Sequence, residues 1–217
     1  MEWLRKLAEV LKKHDVLLIV DDIQAGCGRT GTFFSFEPAG IKPDIVTVSK
    51  SLSGYGLPFA LTLFRPDLDI WSPGEHNGTF RGHNLAFVTA KATIDIYWSD
   101  DKLEKEIAEK SQYLRERIEK IAEDDDQGLF EIRGRGMMQA LVCETGELAD
   151  KITTEAFENG LVIETCGPND EVIKFLMPLT IEHEVMKKGL DILEAACKKV
   201  TSEMSSKKSN TSAGVAK

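Results

Sequence analysis

The sequence predicts an α/β protein, part of a large sheet domain followed by a smaller α+β domain, and three observations carry that prediction. An amphipathic stretch over residues 2–13 leads directly into VLLIV at 16–20, apolar at every position. A second apolar run, IVTVSK at 45–50, follows later, and both runs end on polar groups, Asp21 with Asp22 and Ser49 with Lys50. Continuous apolar runs suit parallel strands covered on both faces, and helices alternating with such strands build an open α/β sheet. Beyond about residue 98 the pattern shifts to a long charged helix and short strands, which marks a second domain.

Each element has its own warrant. Trp3, Leu4, Leu7, Val10 and Leu11 fall on one helical stripe with Glu and Lys opposite. PFALTLF at 58–64 supplies a third strand, and the loop SPGEHNGTFRGHN at 72–84 precedes a helix from about Leu85 to Tyr97. Leu103, Ile107, Leu114, Ile118 and Ile121 mark a long amphipathic helix that Asp124, Asp125 and Asp126 end. The remainder reads as a strand at 137–143, a helix at 147–158, strands at 161–165 and 172–177, and a helix from Glu182 to about Val200. Domains are therefore expected over 1–98 and 99–200, and the small, polar segment 201–217 is expected to be a disordered tail.

Composition narrows the function classes. With 217 residues, 42% hydrophobic and 29% charged, the chain has the profile of a soluble globular protein. Its 27 Lys and Arg against 36 Asp and Glu give a formal charge of −9, which argues against a nucleic-acid face and for small molecules or further copies of the chain as partners. The run Val16–Val20 is far short of the roughly 20 residues that a membrane span needs. The charged N-terminus lacks the apolar core of a secretory signal. Cys27, Cys143, Cys166 and Cys197 are scattered, with no C-x-x-C pair, so reduced thiols in a cytoplasmic protein are expected.

Gly26-Cys27-Gly28-Arg29-Thr30-Gly31 fits G-x-G-x-x-G, but a dinucleotide site needs the third glycine to open a long helix, and TFFSFEPAGIKPD after Gly31 holds no helical run. Asp21 and Lys50 are more informative, because each closes a strand at the edge where ligands of open α/β sheets bind. A partly desolvated lysine there can form a Schiff base, and an acid on the neighbouring strand can hold a positive charge on a heteroaromatic nitrogen. Pyridoxal phosphate requires both roles of a protein. On spacing alone the alternative stands beside it: Asp21 caps a loop and Lys50 merely ends a strand. His76 and His83 are explained by loop polarity, and Arg81 is either an ordinary exposed arginine or an anion contact.

The stretch LLIVDDIQAGCGRTGTFFSFEPAGIKPDIVTVSKSLSGYGLPFA resembles the core of the class III, fold-type I, pyridoxal phosphate-dependent aminotransferases, and the likeness extends through NGTFRGHNLAF, YWSDD, AFENGLVIET and PLTI. The resemblance implies that Lys50 forms the imine with pyridoxal phosphate and moves a proton at the substrate Cα. It implies that Asp21 pairs with the pyridine nitrogen and that Gln24 bonds the ring's phenolic oxygen. Thr79 would reach the cofactor phosphate of a second subunit, making a homo-oligomer with a composite site. The implied activity moves the amino group of L-glutamate to L-aspartate 4-semialdehyde, giving L-2,4-diaminobutyrate and 2-oxoglutarate in ectoine biosynthesis. The alternatives are another class III enzyme acting on an ω-amine such as 4-aminobutyrate or ornithine, and a non-catalytic interaction fragment. Two residues depart from the pattern: Asp22 as the second acid, and Lys174 where many relatives carry an arginine that forks onto the substrate carboxylate. The family's chains are about twice as long, so the sequence is expected to be the carboxyl-terminal half, without the phosphate cup or the ring-stacking aromatic, and inactive alone.

Overall fold

A computed structural model describes residues 1–54, 56–79 and 81–213, with side chains as far as Ser206. The chain divides into two compact units, Met1–Ala108 and Glu109–Lys217.

The first unit opens with helix α1 (Glu2–Lys13), whose acidic first turn and basic last turn complement the helix dipole. Arg5 ties it down by donating to the carbonyls of Ala39 and Pro38, each at 2.9 Å. Strands β1 (Ile19–Asp21), β2 (Ile45–Val48) and β3 (Leu61–Phe64) form a sheet in that order, β1 parallel and β3 antiparallel to β2. Asp44 pins the entry end, its Oδ2 accepting from the Leu18 amide at 2.7 Å and its Oδ1 paired with Arg65 at 2.9 Å. Val46, Val48, Cys27, Phe36 and Leu52 make the core, with Val20, Phe33, Phe59 and Leu61 packed against it. Helix α2 (Asn84–Tyr97) follows, capped by His83, whose Nδ1 accepts from the Ala86 amide at 3.1 Å.

The run 16–20 departs from expectation. Only its end enters the sheet, and Val16, Leu17 and Ile19 are 50%, 46% and 60% exposed rather than covered on both faces. The reason is coverage: the face of β1 that carries Ile19 and Asp21 is left exposed by the described residues, and the edge position adds an unpaired side of its backbone.

Helix α3 (Lys102–Glu123) runs through the division between the units. In the second unit, β4 (Phe130–Arg135), β5 (Met138–Cys143), β6 (Glu164–Cys166) and β7 (Val172–Phe175) form an antiparallel sheet in the order β4-β5-β7-β6. Helices α4 (Gly146–Glu158) and α5 (His183–Ala213) complete it, and Leu141, Ile173, Leu148, Ile152, Met186 and Leu193 are buried. Arg117 on α3 clasps α5, donating to Asp191 Oδ1 at 2.7 Å and Glu194 Oε2 at 3.0 Å.

Strand β4 is an addition to the sequence reading: its charged Glu131 and Arg133 face out, and Gly134 is present because a Cβ there would lie 2.2 Å from the Met138 carbonyl oxygen. Helix α5 continues into the expected tail. Thr201, Ser202, Ser205 and Ser206 turn their hydroxyls onto carbonyls one turn back, which lets polar side chains ride on a helix. Residues 214–217 of that tail lie outside the described residues.

Candidate active site

Parallel pairing of β1 with β2 sets Asp21 opposite Thr47, so Asp21 and Lys50 leave the sheet at the same edge. Lys50 opens a single 3-10 turn (Lys50–Ser53) at φ 51, a left-handed conformation unusual for a side-chain-bearing residue. That turn is held from both ends. The Ser49 hydroxyl donates to the Phe59 carbonyl at 2.6 Å, Leu52 and Ser53 are buried, and Gly54 packs on α2 so closely that a Cβ would lie 1.7 Å from Thr93 Oγ1. Lys50 itself is exposed, and its amine has no partner among the described residues.

Asp21 is exposed, and its Oδ1 accepts from the Ile23 amide at 3.0 Å and the Thr47 hydroxyl at 3.4 Å. Oδ2 is left without a partner among the described residues. Gln24 follows in the turn, half-buried, its amide equally uncommitted among them. The segment from Gly26 to Gly31 is a chain of tight turns, with Cys27 N donating to Phe33 O at 2.6 Å and Gly28 N to Thr32 O at 3.2 Å, and it opens no helix. A groove of about 610 Å³ beside α1 lies at the opposite, entry end of β1 and β2, next to Leu18 and Asp44, and takes in none of these residues.

Thr79 lies exposed in the loop before α2. That loop is braced by Arg81, which donates to the His76 carbonyl at 2.7 Å. Of the two histidines, His83 serves as the cap of α2. In the second unit Lys174 sits opposite Glu164 in the β6–β7 register and pairs with it at 3.1 Å. Burial pushes the Cys143 thiol up to about 12, so it is held in its unreactive form. The sequence reading gave Asp22 only as the second acid of the pair and gave Gly54 no role. Both support the edge from beneath, and an acidic pair or a lone glycine carries no sign of burial in the sequence.

Solved structures share this architecture. Ornithine aminotransferase from Toxoplasma gondii superposes with a TM-score of 0.85 at 28% identity, over 93% of this chain and 48% of that one. N-acetylornithine aminotransferase from Stenotrophomonas maltophilia does so at 0.78 and 31%, over 92% and 52%. Another structure of the Toxoplasma gondii enzyme is described with partial occupancy of PLP at its active site. The fold is therefore that of an aminotransferase. Residues 1–197 match the class-III aminotransferases, and the chain belongs to that family. Curated relatives include the diaminobutyrate–2-oxoglutarate transaminases of Halomonas elongata, 57% identical over 204 residues, and Vibrio parahaemolyticus, 54% over 202, each over 93% of this chain and 48% of the relative. The chain spans about half the length of these curated relatives.

Proposed function

We propose that this chain serves transfer of the amino group of L-glutamate to L-aspartate 4-semialdehyde, giving L-2,4-diaminobutyrate and 2-oxoglutarate, with pyridoxal phosphate as cofactor. The observation that carries this reading is the shared strand edge of Asp21 and Lys50 in a chain more than half identical to diaminobutyrate–2-oxoglutarate transaminases. The donor set suits the cofactor. A carboxylate oxygen, an amide and an amine, each uncommitted among the described residues, answer a pyridine nitrogen, a phenolic oxygen and an aldehyde.

When bound, the cofactor supplies an electron sink for the substrate Cα. Lys50 would hold it through its amine, and the same amine would take and return the proton at the substrate Cα. The Asp21 carboxylate keeps a proton on the ring nitrogen, and Gln24 orients the ring through its phenolic oxygen. Thr79 reaches the phosphate held by a second subunit, so the working form is a homo-oligomer with a composite site. No described helix is long and apolar enough to cross a membrane, and a cytoplasmic setting suits the free thiols.

A second reading, action on ornithine or another ω-amine, draws on the structural neighbours, but their identities of 28% and 31% weigh less than 57% and 54%. The test is an assay of 2-oxoglutarate release with aspartate 4-semialdehyde, 4-aminobutyrate and ornithine in parallel. It is run on the chain alone and with the remaining half of the Halomonas elongata relative supplied. Turnover restored by that half and selective for aspartate 4-semialdehyde is expected. Selectivity for ornithine would favour the second reading, and no turnover in either form would leave an interaction fragment.

A further inference from the structure

Asp21 and Asp22 are neighbours in sequence with opposite environments, the first exposed and the second fully buried. The Asp22 amide donates to the Thr47 carbonyl at 2.9 Å, carrying the β1–β2 pairing one residue past Asp21. Its own carbonyl accepts from Gly26 N at 3.0 Å, closing the turn that holds Gln24. Its carboxylate reaches the far end of the following loop, where Oδ2 accepts from the Ser35 amide at 2.8 Å. Gly26 leaves no room above it: a Cβ there would fall 2.8 Å from the Asp22 carbonyl oxygen and 3.1 Å from Oδ2. Its charge is felt in the loop, since burial and then Asp22 push the Cys27 thiol up to about 11.

One feature of this arrangement works against stability. Oδ1 of Asp22 is buried and has no hydrogen-bond partner among the described residues. An unpaired buried carboxylate oxygen destabilises a fold, so its presence beneath a ligand edge calls for a compensating role.

We propose that Asp22 is a positioning residue for pyridoxal phosphate: gripping the Ser35 amide, it fixes the turn from Asp22 to Gly26 and so the directions in which the Asp21 carboxylate and the Gln24 amide meet the ring. The inference rests on the cofactor reading above and deepens it. Asp22 touches neither cofactor nor substrate. Its effect passes through the backbone on either side, where a misplacement of about 1 Å at a site can cost as much as a hundredfold.

The test compares wild type, Asp22→Asn and Asp22→Ala, each prepared as for the transamination assay and shown by circular dichroism to be folded at the working temperature. Pyridoxal phosphate is titrated by absorbance, and the absorbance of the bound form is followed against pH. Asp22→Asn keeps an oxygen for the Ser35 amide and should bind within about threefold of wild type. Asp22→Ala should bind at least about tenfold more weakly, with the pH midpoint of the bound chromophore shifted from that of wild type as Asp21 loses its aim. Where the alanine variant fails to fold, Asp22→Ser, too short to reach the amide, is read in its place. Wild-type affinity and midpoint in a folded alanine or serine variant would overturn the proposal, and so would equal impairment of the asparagine variant, which would make charge rather than grip decisive. Failure of wild type to take up pyridoxal phosphate would instead sink the cofactor reading.

Discussion

The hydroxyl of Thr47 donates to Oδ1 of Asp21 at 3.4 Å across the parallel β1–β2 pair, so the strand that delivers Lys50 also steadies the acid on its neighbour. The lysine and the acid are thus set by one register. A one-residue slip of β1 against β2 would turn the Asp21 side chain to the opposite face and part it from Thr47.

Asp21→Asn keeps the size of the side chain and an oxygen for Thr47 and Ile23, but a neutral amide no longer favours a protonated ring nitrogen. With the other half supplied as in the transamination assay, pyridoxal phosphate binding should remain measurable while turnover falls by about two orders of magnitude or more. Steady-state rates beside an absorbance titration check this. Wild-type turnover would make Asp21 a loop cap.

Borohydride reduction of the protein loaded with pyridoxal phosphate should fix the cofactor on Lys50, identified by peptide mapping. With the other half supplied, Lys50→Ala should abolish both the label and transamination, since attachment and proton transfer would share one amine. A label on a different lysine would refute the assignment.

In the second unit, Arg117 should contribute through its pairs with Asp191 and Glu194. Lys198 and then Arg117 hold Glu194 below its ordinary value of 4.5 by hydrogen bonding, against the opposing effect of burial. A carboxylate depressed in the folded state stabilises above its unfolded pKa, and that contribution is lost as pH falls through the folded value. The melting temperature should therefore decline once pH drops below about 4.5, the ordinary value for Glu194. Arg117→Met should cost about 1–2 kcal/mol at neutral pH and weaken the acid dependence. Thermal melts from pH 7 to 3 would show it, and identical slopes for both proteins would count against the clasp.

Gly54→Ala should destabilise the first unit by more than an ordinary surface change, about 2 kcal/mol or more, because the new methyl would drive into Thr93 Oγ1 at a φ of 73. Gly54→Ala combined with Thr93→Gly should relieve the clash with the Thr93 side chain but not the backbone cost. Denaturant titration of the single and double variants separates the two.

Much of this fold was legible because its signals are local. The stripe of Leu4, Leu7 and Leu11 defined α1, and apolar runs closed by Asp21 and by Lys50 located the strand ends and hence the candidate edge. The coverage of those strands was not legible, since an apolar Ile19 reads as buried and is exposed because its face is left uncovered by the described residues. Strand β4 escaped for the opposite reason: FEIRGR presents charges and a glycine that suggest a loop until pairing with β5 explains them. Asp22 was invisible as a support, because adjacent acids read as solvated and only packing against Gly26 and Ser35 distinguishes them.

On the proposed reading, the left-handed backbone of Lys50, at φ 51, sets stability and chemistry against each other at one position. Such a conformation costs a residue with a Cβ about 1–2 kcal/mol, and glycine adopts it freely. Lys50→Gly should therefore leave a protein at least as resistant to heat as wild type and devoid of the reactive amine. Selection for thermal tolerance alone would erode this position among the first, and a library screened that way needs an activity filter to keep its lysine.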